Sequence, residues 1–463
     1  MNATAIILAA GEGTRMKSNH AKVSHAILGK PMICWVIDAA LGAGCERVVV
    51  VVGSHADEVR SIIDAAYADS QAVVECVEQA ERLGTAHAVR IALEATSIDA
   101  GPVVVLNGDL PLIQPETIRN FANTVAAGDV AATVLSFKPQ DPQGYGRIVL
   151  DADGSLLRIV EQKDCTPEEA AIGECNAGCY AFDGAQLKAH IGEVGCDNVQ
   201  HEYYLPDMLG ILREAGERVA SYCCEDYRDG LGVNSRSQLA ELTAVARERI
   251  NERLMAEGVT FIDPAQAWIG PDAIVGRDTV IWPQTHLIGR CVVGEDCVLG
   301  PNTRLTNVRV GDRCSVDETV GIDVVLENDI TCGPRAYLRP GTHVLDGAHI
   351  GTHVEIKKST IGKGSKVPHL SYIGDTTMGA GVNIGAGSIT CNYDGVNKHP
   401  TTIGDDTFIG SDTMMVAPVN IGSHAVTGAG GTITQDVPDG ALAVERTEQR
   451  IIEGYSERKR ARK

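Results

Sequence analysis

No run of eighteen consecutive apolar residues occurs in this 463-residue chain, so no membrane-spanning helix is expected. Basic charge is scarce: 40 Lys and Arg against 61 Asp and Glu leave a formal charge of -21, which argues against general nucleic-acid or anionic-membrane binding. Cysteine is plentiful at fourteen, yet no C-x-x-C pair exists, which speaks against a zinc cluster even around Cys165, Cys175, Cys179 and Cys196. With no disulfide-like spacing, and no basic segment ahead of the first apolar run, the thiols imply a reducing, cytoplasmic setting. The terminal "GYSERKRARK" is a basic run, read as a solvated tail; whether it orders over a site stays open.

What the chain does have, near its start, is the stretch "IILAAGEGTRM". The apolar run Ala5 to Ala10 suits a buried parallel strand, and a strand followed by a Gly-rich loop presents backbone N–H groups to a phosphate. The string is neither a dinucleotide fingerprint nor a Walker A loop, so on its own it reads equally as a phosphate cradle or a tight strand-to-helix turn.

Two periods divide the sequence. Up to about residue 235, Val/Leu-rich runs such as "RVVVVVG", "PVVVLNGD" and "AATVLSF" alternate with helix-like stretches such as "AHAVRIALEAT", predicting a mostly parallel α/β sheet of Rossmann-like type covered on both faces. Ligands of such sheets sit at the carboxyl ends of strands, where the Gly11 loop and Asp109 both fall. Residues 236–256 carry Leu239, Leu242, Ala246, Ile250 and Leu254 at helical steps and are read as a linker helix. From 257 to 463 the period is six: Ile269, Val275, Ile281, Leu287, Val293, Leu299 and Leu305, then Ile403, Ile409, Met415, Ile421 and Ile433, with Thr427 the one polar slip. Hexapeptide repetition predicts a left-handed parallel β-helix, a solenoid whose coils bury their aliphatic residues on one another. Chemistry on such a wall needs interruptions. Two stand out: "TCNYDGVNKHP" and the basic "EIKKSTIGKGSKVPHLSYIG", where Lys and His gather as a phosphorylated anion would require.

The motifs "LAAGEGTRM" with Lys22, "QAERLGTAHA", "LNGDLPL", "YGRIV", "IVEQKD", "NAGCYAF", "EYYLPD" and "GVNSR" resemble, in order and spacing, the sugar-nucleotide pyrophosphorylases. Together with the hexapeptide half, the chain is similar to the bacterial bifunctional N-acetylglucosamine-1-phosphate uridyltransferase / glucosamine-1-phosphate acetyltransferase family. The resemblance implies a nucleotide site of Leu8, Ala10, Gly11, Gly13, Gln79, Gly84, Thr85 and Asp109, with Arg15 and Lys22 on the UTP phosphates as the catalytic cations. It implies magnesium on Asp109 and Asn234, and the sugar on Gly146, Glu161, Asn176 and Asn234. The chain departs from the family at "HAK", where His20-Ala21 replaces Leu-Pro and a less rigid Lys22 is expected. Two further departures are Arg82 in place of a common Gln, a candidate phosphate or base contact, and Ser235 in place of a frequent Asn.

For acetyl transfer to a sugar amine, a histidine, with an ordinary pKa near about 6.5, is the usual base. His369 in "KVPHLSYIG" is the candidate. The resemblance assigns Arg339, Lys357, Tyr372, Asn383 and Lys398 to the sugar phosphate, with Asn392 completing the pocket. It assigns acetyl-CoA to Ala386, Asn392, Tyr393, Ser411, Ala429 and Arg446. It further implies two successive small-molecule reactions, acetylation of glucosamine-1-phosphate and uridylylation of N-acetylglucosamine-1-phosphate, in a homotrimer built through the solenoid. The alternatives are a single-activity nucleotidyltransferase whose solenoid only regulates or assembles, and a non-catalytic sugar-nucleotide sensor.

Overall fold

The computed structural model describes residues 3–460 apart from 69, 97–100, 153 and 199, so the last three residues of the basic tail lie outside the described residues. The chain forms two compact units, Met1–Ala246 and Arg247–Lys463.

In the first unit, β1 (Ala3–Ala9), β2 (Cys45–Val52), β3 (Val73–Glu78), β4 (Pro102–Asn107), β5 (Ala132–Phe137), β6 (Cys175–Asp183) and β7 (Val219–Cys223) form a sheet ordered β7-β5-β6-β4-β1-β2-β3. All run parallel except β6, which is antiparallel to both its neighbours. The apolar runs are continuous because both faces are buried. Ile7, Val48 and Val50 pack into one core with Ile33, Ile37 and Phe121, from α1 (Met32–Ala43) and α4 (Pro115–Ala126). Ile6, Val49 and Val51 pack into the other with Val89 and Ala92 of α3 (Thr85–Thr96), while α2 (Ala56–Tyr67) sends Val59 and Ile63 to the first. Leu8 pairs with Asn107, so the loop after β1 and Asp109 after β4 emerge side by side at the carboxyl edge.

A 21-residue helix, α5 (Arg236–Ala256), contains the division between the units. Leu242 and Ala246 pack with Met16, Ile27 and Met32, whereas Asn251, buried, donates from Nδ2 to the carbonyls of Pro264 and Ala267 at 2.8 and 3.1 Å.

The second unit is a left-handed parallel β-helix with three sheets of 11, 10 and 9 short strands. Every hexad position singled out in the sequence is buried. Strand partners lie eighteen residues apart where the hexads are regular (Val280 on Val298). The spacing tightens to seventeen (Val292 on Arg309) where one residue is omitted and to sixteen (Arg309 on Val325) where two are, which is why the six-residue register lapses in the middle. It widens to twenty-five (Asn383 on Phe408) across the inserted loop. The polar slip is compensated: Thr427 Oγ1 accepts the Gly410 N–H at 2.9 Å and lies 3.2 Å from Thr413 Oγ1, so its hydroxyl is satisfied inside the core. Thr427→Val, nearly identical in shape, is therefore expected to destabilise the solenoid by about 1–3 kcal/mol by orphaning the Gly410 N–H. A guanidinium midpoint at or above that of the parent would refute this.

Candidate active sites

At the carboxyl edge of the first unit lies a cavity of about 660 Å³, lined by Leu8, Ala10, Gly11, Lys22, Gln79, Gly84, Thr85 and Asp109 among others. Two glycines have a steric reason. A Cβ on Gly13, whose φ is +63°, would stand 2.6 Å from Lys22 Cβ, and one on Gly84 (φ +108°) would stand 2.5 Å from the Tyr203 carbonyl oxygen. Around Gly11 the reverse holds, with nothing within 4 Å of where a Cβ would lie, so a ligand has room to approach the backbone. Gln79 is buried, its Nε2 donating to the Gly84 carbonyl at 3.0 Å, which fixes the loop that carries Gly84 and Thr85. Thr85 Oγ1 accepts the Leu205 N–H at 2.9 Å.

On the floor of the cavity Lys22 Nζ donates to Asp109 Oδ2 and, at 3.2 Å, to Asn234 Oδ1. Arg15 donates to the same amide oxygen at 2.8 Å. One carboxylate and one amide oxygen thus face a common point where a cation, Lys22, is already held, and such hard oxygen donors suit a magnesium ion sharing substrate phosphates. Gly146, Glu161 and Asn176 form a second group: Asn176 N–H donates to the Gly146 carbonyl at 2.8 Å, and Glu161 Oε1 lies 3.3 Å from where a Cβ on Gly146 would stand. Arg82 pairs with Glu12 at 2.6 Å, and both line the cavity.

In the solenoid, Arg339, Lys357 and Tyr372 belong to one face, because Tyr337 pairs with Glu355 and Glu355 with Tyr372 on successive coils. The inserted loop brings Asn392 and Lys398 to them. Asn392 Nδ2 lies 3.4 Å from the Tyr372 hydroxyl and donates to Asp375 at 2.5 Å, while Lys398 Nζ stands 5.8 Å from the Tyr393 ring centre. The neighbouring Lys398 first, and burial second, hold Lys357 below the ordinary lysine range; its ammonium is also 3.9 Å from Asp375. A lysine whose charged form is weakened by a neighbouring cation is arranged for an anion to relieve it. Arg339 is tied to Glu355 at 2.8 Å.

His369 and Asn383 lie in a different sheet from that cluster, Asn383 pairing with Lys366 and Phe408. The register then produces a column. Gly387 N–H donates to the His369 carbonyl, Asp412 N–H to Ala386 and Gly430 N–H to Ser411, so His369, Ala386, Ser411 and Ala429 occupy the same corner position of successive coils. Exposed His369 heads a stripe of small residues, and Arg446 Nη2 lies 3.4 Å from where a Cβ on Gly428 would stand.

The sequence reading did not single out Asn107, Glu12 and Glu202 as cavity-lining residues, nor Asp375 beside Lys357. Asn107 carried a signal, being two residues before Asp109 at a strand end, and Glu202 opens the motif "EYYLPD"; Asp375 carried none, since only a tertiary contact brings it in.

A nucleotidyltransferase sheet with a cationic cavity at its carboxyl edge, followed by a hexapeptide solenoid bearing a histidine and a cation cluster, defines a two-site transferase. Residues 5–166 match the MobA-like NTP transferase domain family, residues 272–307 the bacterial transferase hexapeptide family, and residues 400–435 the hexapeptide repeat of succinyl-transferase. The chain is 47% identical over 458 residues to the bifunctional protein GlmU of Heliobacterium modesticaldum, covering 98% of each chain. It is 47% identical over 450 residues to that of Carboxydothermus hydrogenoformans (97% of this chain, 99% of the relative). Against that of Corynebacterium aurimucosum it is 45% identical over 459 residues (99% and 94%). The chain belongs to the bifunctional GlmU family. It is a bifunctional transferase of UDP-N-acetylglucosamine synthesis, with uridylyl transfer and acetyl transfer as its two reactions.

Proposed function

We propose that the solenoid acetylates glucosamine-1-phosphate and that the first unit then joins the product to UMP, each at the site described above. The observation that carries the reading is a cavity large enough for a nucleotide, lined by Lys22 and Asp109, behind which Asn234 accepts bonds from both Lys22 and Arg15. UTP lies with its base toward Gln79, Gly84 and Thr85 and its phosphates over Gly11 and Gly13. Gly146, Glu161 and Asn176 hold the sugar so that its phosphate oxygen faces the α-phosphorus in line, and pyrophosphate leaves toward Arg15 and Lys22. Asp109 and Asn234 would hold magnesium, which supplies neutralisation of the charge that develops on the phosphates.

At the second site Arg339, Lys357, Tyr372, Asn383, Asn392 and Lys398 hold the sugar phosphate. His369 takes the proton of the 2-ammonium group; the amine nitrogen bonds to the acetyl carbon, the C–S bond breaks, and coenzyme A leaves as its thiol. Ala386, Ser411 and Ala429 let the pantetheine lie against the coils, flanked by Asn392 and Tyr393, with Arg446 on a coenzyme phosphate. A scaffold-only solenoid has no use for Arg339 and Lys398 gathered beside Lys357, which disfavours the single-activity alternative. The solenoid assembles as a homotrimer, supported by its three flat sheets and by exposed apolar side chains such as Ile274, Phe408 and Leu442. Fourteen free thiols favour a cytoplasmic location, and no helix among the described residues is long and apolar enough to cross a membrane.

The test is a mass-spectrometric assay with glucosamine-1-phosphate, acetyl-CoA, UTP and magnesium, beside one lacking acetyl-CoA but given N-acetylglucosamine-1-phosphate. UDP-N-acetylglucosamine is expected from both. Product from the second alone would sink the assignment of acetyl transfer to the His369 site.

A further inference from the structure

Lys22 opens the short helical turn Lys22–Ser24, and the segment before it has no proline to stiffen it. A less rigid lysine follows from the sequence; the structure instead supplies an external brace. Glu58, in the first turn of α2, accepts the Ala21 N–H on Oε2 at 2.9 Å and meets His20 Nδ1 with Oε1 at 3.1 Å. Ala21 is buried, so its N–H has to find a partner within the protein, and Glu58 is that partner. Burial by itself would raise the Glu58 carboxyl; bonds from Ala21 and Ser24 and the nearby His20 outweigh it and hold the carboxyl below its usual range. The backbone of Ala21, at φ -54° and ψ 140°, is one a proline ring adopts without strain. The turn so fixed also carries the lysine stem packed beside Gly13 and the ammonium that reaches Asp109 and Asn234.

We propose that Glu58 is a positioning residue for uridylyl transfer: its carboxylate fixes the Ala21 peptide, and through it the approach of Lys22 to Asp109 and Asn234, in the way a proline ring at position 21 would. The proposal rests on the first cavity being the uridylyl-transfer site. It makes a particular demand: the need for Glu58 disappears once residue 21 no longer has an N–H and its φ is fixed covalently.

The experiment compares the parent enzyme, Glu58→Ala and the double variant Ala21→Pro with Glu58→Ala, measuring both activities of the full-length chain. Glu58→Ala is expected to lower kcat/KM for UTP roughly tenfold, the order of loss that slight misplacement of a catalytic group produces. The KM for N-acetylglucosamine-1-phosphate stays unchanged, as does acetyl transfer, which reports intact folding of the other unit. The double variant is expected to recover to within about threefold of the parent, since proline restores the lost constraint. Uridylyl transfer by Glu58→Ala equal to that of the parent overturns the brace. A double variant as slow as Glu58→Ala also overturns it, because Glu58 would then act by some route other than Ala21. A parent enzyme that acetylates but transfers no uridylyl group would instead overturn the reading of the cavity itself.

Discussion

Asp109→Asn is expected to reduce uridylyl transfer roughly a thousandfold or more while acetyl transfer proceeds at the parent rate. The substitution removes the one carboxylate that meets Lys22 Nζ and leaves two neutral amide oxygens, Asn234 and the new one, to face a divalent cation. Charge neutralisation of transferring phosphates by a metal is worth several kcal/mol, and each 1.36 kcal/mol lost is about tenfold in rate. The backbone has no reason to move: Val233 N–H still donates to the residue 109 carbonyl at 2.9 Å, and the side chain keeps its size. Because both activities reside in one chain, acetyl transfer in the same preparation measures how much protein is folded. Raising magnesium should recover part of the rate. Turnover within tenfold of the parent at limiting magnesium would remove Asp109 from the proposed metal site.

His369→Ala gives the mirror image: acetyl transfer falls roughly 10²–10⁴-fold at neutral pH, the range that a positioned general base supplies, and uridylyl transfer is untouched. His369 is exposed at the end of its strand, its carbonyl accepting bonds from Ser371 Oγ at 2.7 Å and Gly387 N–H at 3.3 Å. Truncation at Cβ leaves those backbone bonds in place, so the solenoid is not expected to lose stability. Since the base acts only on the ammonium form of the acceptor, the deficit should shrink as pH rises and free amine becomes available from solution. Normal acetylation by His369→Ala at neutral pH would sink the assignment.

Much of the architecture is written in period. The run Ala5 to Ala10 reads as a strand because parallel strands buried on both faces need no polar alternation, and Ile6 and Ile7 do enter opposite cores. Six-residue steps announce the solenoid because each face of a coil buries one residue at the same height. The middle third is harder to read: a single omitted residue, as between Leu305 and Val310, leaves the coil intact but breaks any fixed-step search. Thr427 looks like an error until its hydroxyl is seen to accept the Gly410 N–H from the previous coil. Loops that present backbone to phosphate carry glycines at fixed places, so Gly11, Gly13 and Gly84 are legible as a pattern. Glu58 is not, because "HADEVR" is an ordinary amphipathic start and its partners His20 and Ala21 meet it only after α2 has packed. The same applies to Asp375, which is brought beside Lys357 by the stacking of one coil on the next.

The column headed by His369 turns the solenoid into a ruler. Neighbouring coils lie about 4.8 Å apart, the spacing of hydrogen-bonded strands, so the distance from the histidine down past Ala386, Ser411 and Ala429 can change only in whole coils. A solenoid lengthened by one such turn below Ala386 would keep every hexad buried and every ladder paired, yet on the proposed reading would shift Arg446, the proposed partner of a coenzyme phosphate, by one rung relative to His369. If acetyl-CoA lies along this column as proposed, selection for the length of its donor is a matter of integer counting along the axis, independent of the side chains proposed to hold the sugar on the adjoining face.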